Sequence, residues 1–191
     1  MPGGIVSIPN FFTIARILLI PCFVVAFYLP LPHAGMITAT IFCLAGLTDW
    51  LDGFLARKLN QTSLFGAFLD PVADKLIVAV ALVLLVGAFG SVAVTIPAAV
   101  IVSREIAISA LREWMAEIGK RTNVSVNYIG KLKTFLQIVA IIMLLSQPAD
   151  WEVKWVKIGI GLLWAAAFLT LWSMMTYLRA AWTALTEIKE T

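Results

Sequence analysis

Residues 76–103 read LIVAVALVLLVGAFGSVAVTIPAAVIVS, a long run without one charged side chain. A helix needs roughly 20 apolar residues to cross a bilayer, so this run holds more than one span. The segment from Gly87 to Ser91 lies inside it, and glycine is where a helix can stop and the chain can reverse. The run therefore predicts a helix, a tight turn and a second helix within a membrane.

Three more uncharged runs occupy residues 17–48, 134–149 and 158–178, and the sequence Pro-Leu-Pro-His at 30–33 divides the first of them. Because 61% of the residues are hydrophobic and only 13% are charged, the chain cannot cover itself with a water-soluble surface. We predict an all-α, polytopic membrane protein with six transmembrane helices. The expected spans are 9–29, 34–58, 63–86, 92–118, 128–147 and 154–182.

Little sequence remains outside these spans, so residues 1–191 are expected to form a single membrane domain. The basic pairs at 57–58 and 120–121, together with Arg179 and Lys189, fall on one side of a six-span layout. Cytoplasmic loops carry an excess of lysine and arginine, so that side and both termini are predicted to face the cytoplasm.

Four aspartates lie near the facing ends of the second and third predicted helices. At 100° per residue, Asp49 and Asp52 are about 60° apart on one helix, and Asp70 and Asp74 are about 40° apart on the next. Since a short turn joins these helices, the two acidic faces are expected to meet. Ionised carboxylates within a membrane span are costly and are functional candidates by default.

Such a cluster needs cations to neutralise it, and oxygen ligands without His or Cys favour a hard divalent ion, Mg²⁺ or Mn²⁺. Two ions roughly 3.5–4 Å apart would suit phosphoryl chemistry. Gly53 leaves the backbone open to a phosphate or ribose, and Arg57 is placed to reach a diphosphate. The competing interpretation is that the aspartates form surface salt bridges with Arg57, Lys58 and Lys75. That interpretation does not explain Gly53, Gly66 or the regular spacing.

Residues 49–74 match the pattern D-x₂-D-G-x₂-A-R-x₈-G-x₃-D-x₃-D without a departure. This pattern resembles the signature of the CDP-alcohol phosphatidyltransferase family, whose six-span layout the chain also resembles. The resemblance implies that Asp49, Asp52 and Asp70 bind metal, and that Asp74 both binds metal and accepts a proton. It also implies a homodimer.

The same resemblance implies a site for CDP-diacylglycerol. Its expected contacts are Asn10, Thr13, Gly53, Arg57 and Ser63. The match at Asn10 and Thr13 is short, and a helix N-cap with a first-turn hydroxyl is an equally good interpretation there. An unpaired arginine within a span is costly, so Arg16 is expected to point at the acidic site or at a phosphate.

A second charged stretch, residues 103–117, interrupts the fourth predicted span. Arg104 and Arg112 there, with Lys131 and Lys133 of the fifth span, are candidates to bind an anionic acceptor. Lys131 and Lys133 are about 200° apart, so at most one is expected to face the same cavity. The alternative is an internal ion-pair ladder in which Glu105 and Arg112, within about 20° of each other, only hold helices together.

The run from Arg104 to Arg121 and the sequence Gly-Lys-Leu-Lys-Thr at 130–134 resemble the bacterial phosphatidylglycerophosphate synthase branch of the family. That branch transfers a phosphatidyl group from CDP-diacylglycerol to sn-glycerol 3-phosphate and releases CMP. The resemblance therefore implies these two substrates, a bacterial inner membrane and an active site facing the cytoplasm.

Two alternatives stay open at this point. One is a synthase of the same family with another acceptor, such as a cardiolipin or inositol-phosphate lipid synthase. The other is a divalent-cation transporter, although carboxylates gathered at one membrane face beside Gly-x₂-Ala-Arg favour an enzyme. The sequence carries no nucleic-acid-binding signature.

Overall fold

The computed structural model describes the backbone of residues 8–59, 64–117 and 128–186, and the side chains of residues 13–48, 69, 71–117 and 130–179. Every regular element in these ranges is a helix, so the predicted all-α class is confirmed. The helices are α1 Ile8–Tyr28, α2 Ala34–Leu59, α3 Leu64–Phe89, α4 Val92–Glu117, α5 Tyr128–Ser146 and α6 Lys154–Thr186.

The predicted helix bounds are close to the observed ones, with the largest differences at the carboxyl ends of α3 and α6. The helix α3 runs through Gly87 and ends at Phe89, because Gly90 is the residue that adopts the left-handed conformation, with φ of +53°. The Gly90 amide donates to the Val86 carbonyl at 3.0 Å. On the other side of the turn the Ala93 amide donates to the Ser91 hydroxyl at 3.3 Å, which caps α4.

Three helical segments are long and apolar enough to cross a bilayer by themselves: Pro71–Phe89, Val92–Glu117 and Lys154–Arg179. Two shorter apolar helices, Thr13–Tyr28 and Ala34–Thr48, accompany them within the described side chains. Large apolar residues such as Val25, Val83 and Phe168 are 60% or more exposed, as expected for side chains that face lipid. The protein is therefore an all-α polytopic membrane protein, while the count of six spans stays a prediction.

Side-chain contacts fix how the helices run. Trp164 of α6 donates to the Ala93 carbonyl of α4 at 2.9 Å, and Arg104 and Arg112 further along α4 contact Ser173 and Tyr177 further along α6. Both helices advance in the same direction through these contacts, so α4 and α6 are parallel. By contrast, α5 and α6 follow each other across a short connection and are antiparallel.

The interior is packed with small and branched apolar residues. Ala45, Ala81, Ala140 and Ala166 are all fully buried and let the helices approach closely. The helices α2 and α5 approach closely at Gly35, where an added Cβ would lie 2.7 Å from the Leu145 carbonyl oxygen.

Candidate active site

The four aspartates of the signature lie on two consecutive, contacting helices. Asp49 and Asp52 belong to the last part of α2, and Asp70 and Asp74 belong to the first half of α3. The carboxyl end of α2 and the amino end of α3 are joined by a short connection, so all four positions lie toward the same end of the bundle. The backbone thus agrees with the arrangement expected for a shared acidic site.

The convergence of the four carboxylates stays a prediction. Of the four residues, only Asp74 has a side chain within the described part of the chain. Among the described side chains there is no group of three or more His, Cys, Asp and Glu residues suited to a metal. The predicted donor contacts Asn10, Gly53 and Arg57 also lie outside the described side chains, and Ser63 lies outside the described residues.

Two predicted residues of α1 are fully buried. Thr13 is 1% exposed and Arg16 is 1% exposed, although both belong to an apolar helix. The helix α1 packs against α2 and α3, the two helices that carry the aspartates. The burial of Arg16 shows that its side chain lies within the protein, while the expected contact with the acidic site or a phosphate stays a prediction.

A cavity of about 820 Å³ lies between α3, α4 and α5, and Asp74 is one of the residues that line it. Its polar wall residues are Asp74, Lys75, Glu105, Ser109, Arg112, Glu113, Thr134 and Gln137. The other wall residues are apolar and include Val78, Ile101 and Ile138. The cavity is large enough for a small polar acceptor and part of a lipid together.

Glu105 is the centre of a buried ion cluster beside this cavity. Its Oε1 atom accepts hydrogen bonds from Arg104 Nη1 at 2.8 Å and from Lys133 Nζ at 2.6 Å. Arg104 is 9% exposed and Lys133 is 4% exposed, and Arg104 Nη2 also donates to Ser173 Oγ at 2.9 Å. Two cations and one carboxylate leave the cluster with a single net positive charge.

Arg112 is in a different situation from Arg104. It is exposed, lines the cavity and donates from Nη2 to the Tyr177 hydroxyl at 2.7 Å, with its guanidinium carbon 5.1 Å from the centre of the Tyr177 ring. The sequence suggested that Arg112 could share a face with Glu105, but in the described side chains Glu105 pairs with Arg104 and Lys133 instead. Lys131 is exposed and does not line the cavity.

Tyr177 and Ser173 were not among the predicted site residues. They are one helical turn apart on α6, so the available signal was a serine and a tyrosine at this spacing in a largely apolar helix. Their partners could not be read from the sequence, because α4 and α6 are distant along the chain.

A second link connects α3 to α4 beside Asp74. The Lys75 ammonium, next to Asp74 in the chain, donates to the Ser109 hydroxyl, and Ser109 in turn donates to the Glu105 carbonyl at 2.6 Å. Lys75 and Ser109 both line the cavity. The cavity wall therefore carries three carboxylates, two cations and two hydroxyls, which belong to Asp74, Glu105, Glu113, Lys75, Arg112, Ser109 and Thr134.

The family model of CDP-alcohol phosphatidyltransferases matches residues 6–183. The chain belongs to this family. The resemblance seen in the signature at residues 49–74 is thereby confirmed, and the match extends over almost the whole chain.

Curated relatives are similar over nearly their full length. Proteins of Salmonella typhimurium (strain LT2), Shigella flexneri and Escherichia coli (strain K12) are 57%, 56% and 55% identical over 175 residues, which is 92% of this chain and 94% of each relative. All three are named CDP-diacylglycerol–glycerol-3-phosphate 3-phosphatidyltransferase. The relatives thus fall in the branch that the residues after Arg104 resemble.

Proposed function

We propose that this membrane enzyme transfers the phosphatidyl group of CDP-diacylglycerol to sn-glycerol 3-phosphate, giving phosphatidylglycerophosphate and CMP. The observation that carries the proposal is the identity of 55% or more to relatives named for this reaction, over 94% of their length. The cavity between Asp74 and Arg112 supports it, because the reaction needs a base and an anion site within one space.

The chemistry assigned to this chain begins with proton removal. Asp74 accepts the proton of the acceptor hydroxyl, whose oxygen forms a bond to the lipid-linked phosphorus. The bond between that phosphorus and the oxygen of CMP breaks, and its electron pair leaves with CMP. The phosphatidyl group stays in the bilayer throughout.

The four carboxylates at Asp49, Asp52, Asp70 and Asp74 form an all-oxygen donor set, which suits Mg²⁺ or Mn²⁺. We assign these four residues as the ligands of two divalent ions. Such ions would neutralise the donor diphosphate and stabilise the departing CMP oxygen.

The lipid donor is assigned to the end of the bundle where the aspartates of the signature lie. The nucleotide and diphosphate contacts proposed for it are Asn10, Thr13, Gly53, Arg57 and Ser63. The burial of Thr13 on α1 supports a contact inside the protein rather than a role at a lipid-facing surface.

The acceptor phosphate is assigned to Arg112, because of the four predicted cations it alone lines the cavity. A guanidinium can bind two phosphate oxygens at once, and the Tyr177 hydroxyl holds this one in place. Arg104 and Lys133 are tied to Glu105, so they contribute positive potential from beside the cavity. Lys131 is exposed and is assigned to the approach of the anion.

The family resemblance supports a homodimer, and the bacterial relatives support the inner membrane as its location. The basic residues at 57–58 and 120–121 favour a cytoplasmic active site. This orientation gives the water-soluble acceptor direct access.

The decisive experiment measures CMP release from CDP-diacylglycerol by the purified protein, with a panel of acceptors. Glycerol 3-phosphate is expected to be the preferred acceptor over inositol phosphate, phosphatidylglycerol and free serine. Preference for another member of the panel would move the enzyme to another branch of the family. Transport of Mn²⁺ into liposomes without CMP release would favour the transporter alternative.

The same assay tests the metal site. Excess chelator should abolish CMP release, and added Mg²⁺ or Mn²⁺ should restore it. Asp49→Asn, Asp52→Asn and Asp70→Asn should each abolish transfer, because each removes a negatively charged oxygen ligand from a hard-ion site. Near-normal turnover in chelator would contradict the assignment.

A further inference from the structure

Gln137 is a buried amide whose environment calls for a ligand. It lies at the middle of α5, is 5% exposed and forms part of the cavity wall next to Ile138. A glutamine amide carries two N–H donors and a carbonyl acceptor. No hydrogen-bond partner is found for it among the described residues, although Thr134 and Arg112 on the wall of the same cavity both have one. The Gln137 amide is not among the fully enclosed polar atoms that lack a partner in the described residues, so it is reached from the cavity, where a bound molecule can supply its hydrogen-bond partner.

The position of Gln137 along the bundle shows which part of a substrate it can reach. The ends of α3 and α5 at Phe89 and Ser146 lie together, since both line a second cavity at the end opposite the aspartates. From a rise of 1.5 Å per residue, Gln137 is roughly 13 Å from that end and Asp74 roughly 22 Å. Gln137 is therefore about 9 Å deeper in the bundle than Asp74.

The deep part of the cavity is apolar. From the same rise, the wall residues Val78 and Ile101 lie at about the depth of Gln137 and Ile138, whereas Arg112 lies in the opposite direction, near the carboxyl end of α4. An acceptor with its hydroxyl at Asp74 and its phosphate at Arg112 extends away from Gln137. The lipid donor extends toward Gln137, because its diacylglycerol part continues from the reacting phosphorus into the bilayer.

We propose that the Gln137 amide donates a hydrogen bond to an ester carbonyl of the diacylglycerol part of the lipid donor. The inference rests on the proposed function, which places the donor phosphorus beside Asp74. Beyond that phosphorus, the ester oxygens are the polar atoms of the lipid that enter the bundle. Gln137 would thus be a specificity-determining residue that selects ester-linked over ether-linked donors.

The test compares two donors with matched chains, CDP-dipalmitoylglycerol and its ether analogue CDP-dihexadecylglycerol, at saturating glycerol 3-phosphate. Wild-type enzyme is expected to have a kcat/KM about tenfold higher with the ester donor, since the ether lacks the carbonyl and leaves the amide unpaired. Gln137→Met keeps the length of the side chain and removes the amide. It should lower kcat/KM for the ester donor about tenfold and leave the ether donor within about twofold, so that the preference disappears.

Ile138→Met provides the matched control, because it changes the adjacent wall residue without removing a polar group. This variant should keep the ester preference. Gln137→Leu provides a second apolar replacement, and size-exclusion chromatography checks that each variant is folded.

Several results would overturn the proposal. Equal kcat/KM of wild-type enzyme for the two donors would overturn it. This comparison needs no variant, so it holds even if Gln137→Met and Gln137→Leu fail to fold. An equal loss on both donors, or a rise confined to the KM of glycerol 3-phosphate, also refutes it while leaving the proposed function intact. If wild-type enzyme releases CMP from neither donor, the proposed function itself fails and the assignment of Gln137 fails with it.

Discussion

Replacement of Glu105 by glutamine is expected to destabilise the helix bundle strongly. The Glu105 carboxylate is 2.8 Å from Arg104 Nη1 and 2.6 Å from Lys133 Nζ, and both cations are more than nine-tenths buried. Glu105→Gln leaves two adjacent buried cations without a counter-charge. Removing one partner of a buried pair costs about 3–5 kcal/mol. Because the Glu105 side chain is itself 29% exposed, we expect the lower end of that range, about 3 kcal/mol.

Thermal unfolding of the purified protein in a mild detergent, followed by tryptophan fluorescence, measures this effect. For a chain of this size 1 kcal/mol corresponds to roughly 2–4 °C in Tm, so Glu105→Gln should lower Tm by about 6–12 °C. Glu113→Gln is the matched control, because Glu113 is exposed on the same helix and lines the same cavity. The control should change the free energy of unfolding by less than about 0.5 kcal/mol.

A Tm for Glu105→Gln no lower than that of Glu113→Gln would refute the reasoning. In that case the Glu105 carboxylate would not hold Arg104 and Lys133 in a structural cluster. Arg104 and Lys133 would then be candidates for direct binding of the acceptor phosphate. Replacing either one alone should in that case raise the KM for glycerol 3-phosphate.

Three further predictions concern the reaction and the packing. Asp74→Asn should lower kcat by a factor of roughly 10²–10⁴ with little change in the KM for the donor, because it removes a general base. If donor binding is lost while kcat at saturating donor is kept, Asp74 is only a metal ligand. Arg112→Ala should raise the KM for glycerol 3-phosphate at least about tenfold, which corresponds to about 1.4 kcal/mol, and leave the KM for the donor unchanged. An unchanged KM for glycerol 3-phosphate would refute the phosphate site. Gly35→Ala should lower stability by about 1–3 kcal/mol in thermal unfolding, because the new Cβ meets the Leu145 carbonyl oxygen at 2.7 Å. Gly46→Ala on the same helix has open space and should be neutral or stabilising, and equal effects of the two variants would contradict the packing argument.

The helices could be predicted from the sequence because their signals are local. Uncharged runs give the spans, and Pro30, Pro32 and Gly90 lie in turns that interrupt them. The exact stop of α3 was harder to predict, since two glycines compete and only the one at position 90 adopts the left-handed conformation. The family also followed from local information, because the signature occupies one continuous stretch, 49–74.

The partners of the charged residues on α4 could not be predicted in the same way. Helical angles place Arg112 beside Glu105, but they contain no information about which other helix approaches. In the structure Lys133 comes from α5 to pair with Glu105, and Tyr177 comes from α6 to pair with Arg112. Such pairs depend on tertiary packing. Gln137 gave no signal in the sequence for a related reason, since one glutamine in an apolar helix becomes notable only when its burial and lack of partner are known.

The length of α6 determines how the two substrates reach the enzyme. With a rise of 1.5 Å per residue, α6 spans about 50 Å, and Tyr177 lies roughly 35 Å from its first residue, Lys154. With Lys154 at one surface of a hydrocarbon core about 30 Å thick, the Arg112–Tyr177 pair is expected at the aqueous boundary on the other side. An acceptor that binds at the proposed Arg112 site can arrive by diffusion through water, while the lipid donor arrives only by lateral diffusion within the bilayer. Added inert lipid lowers the surface concentration of the donor while its total amount stays constant. It should therefore slow the reaction and leave the KM for the acceptor unchanged.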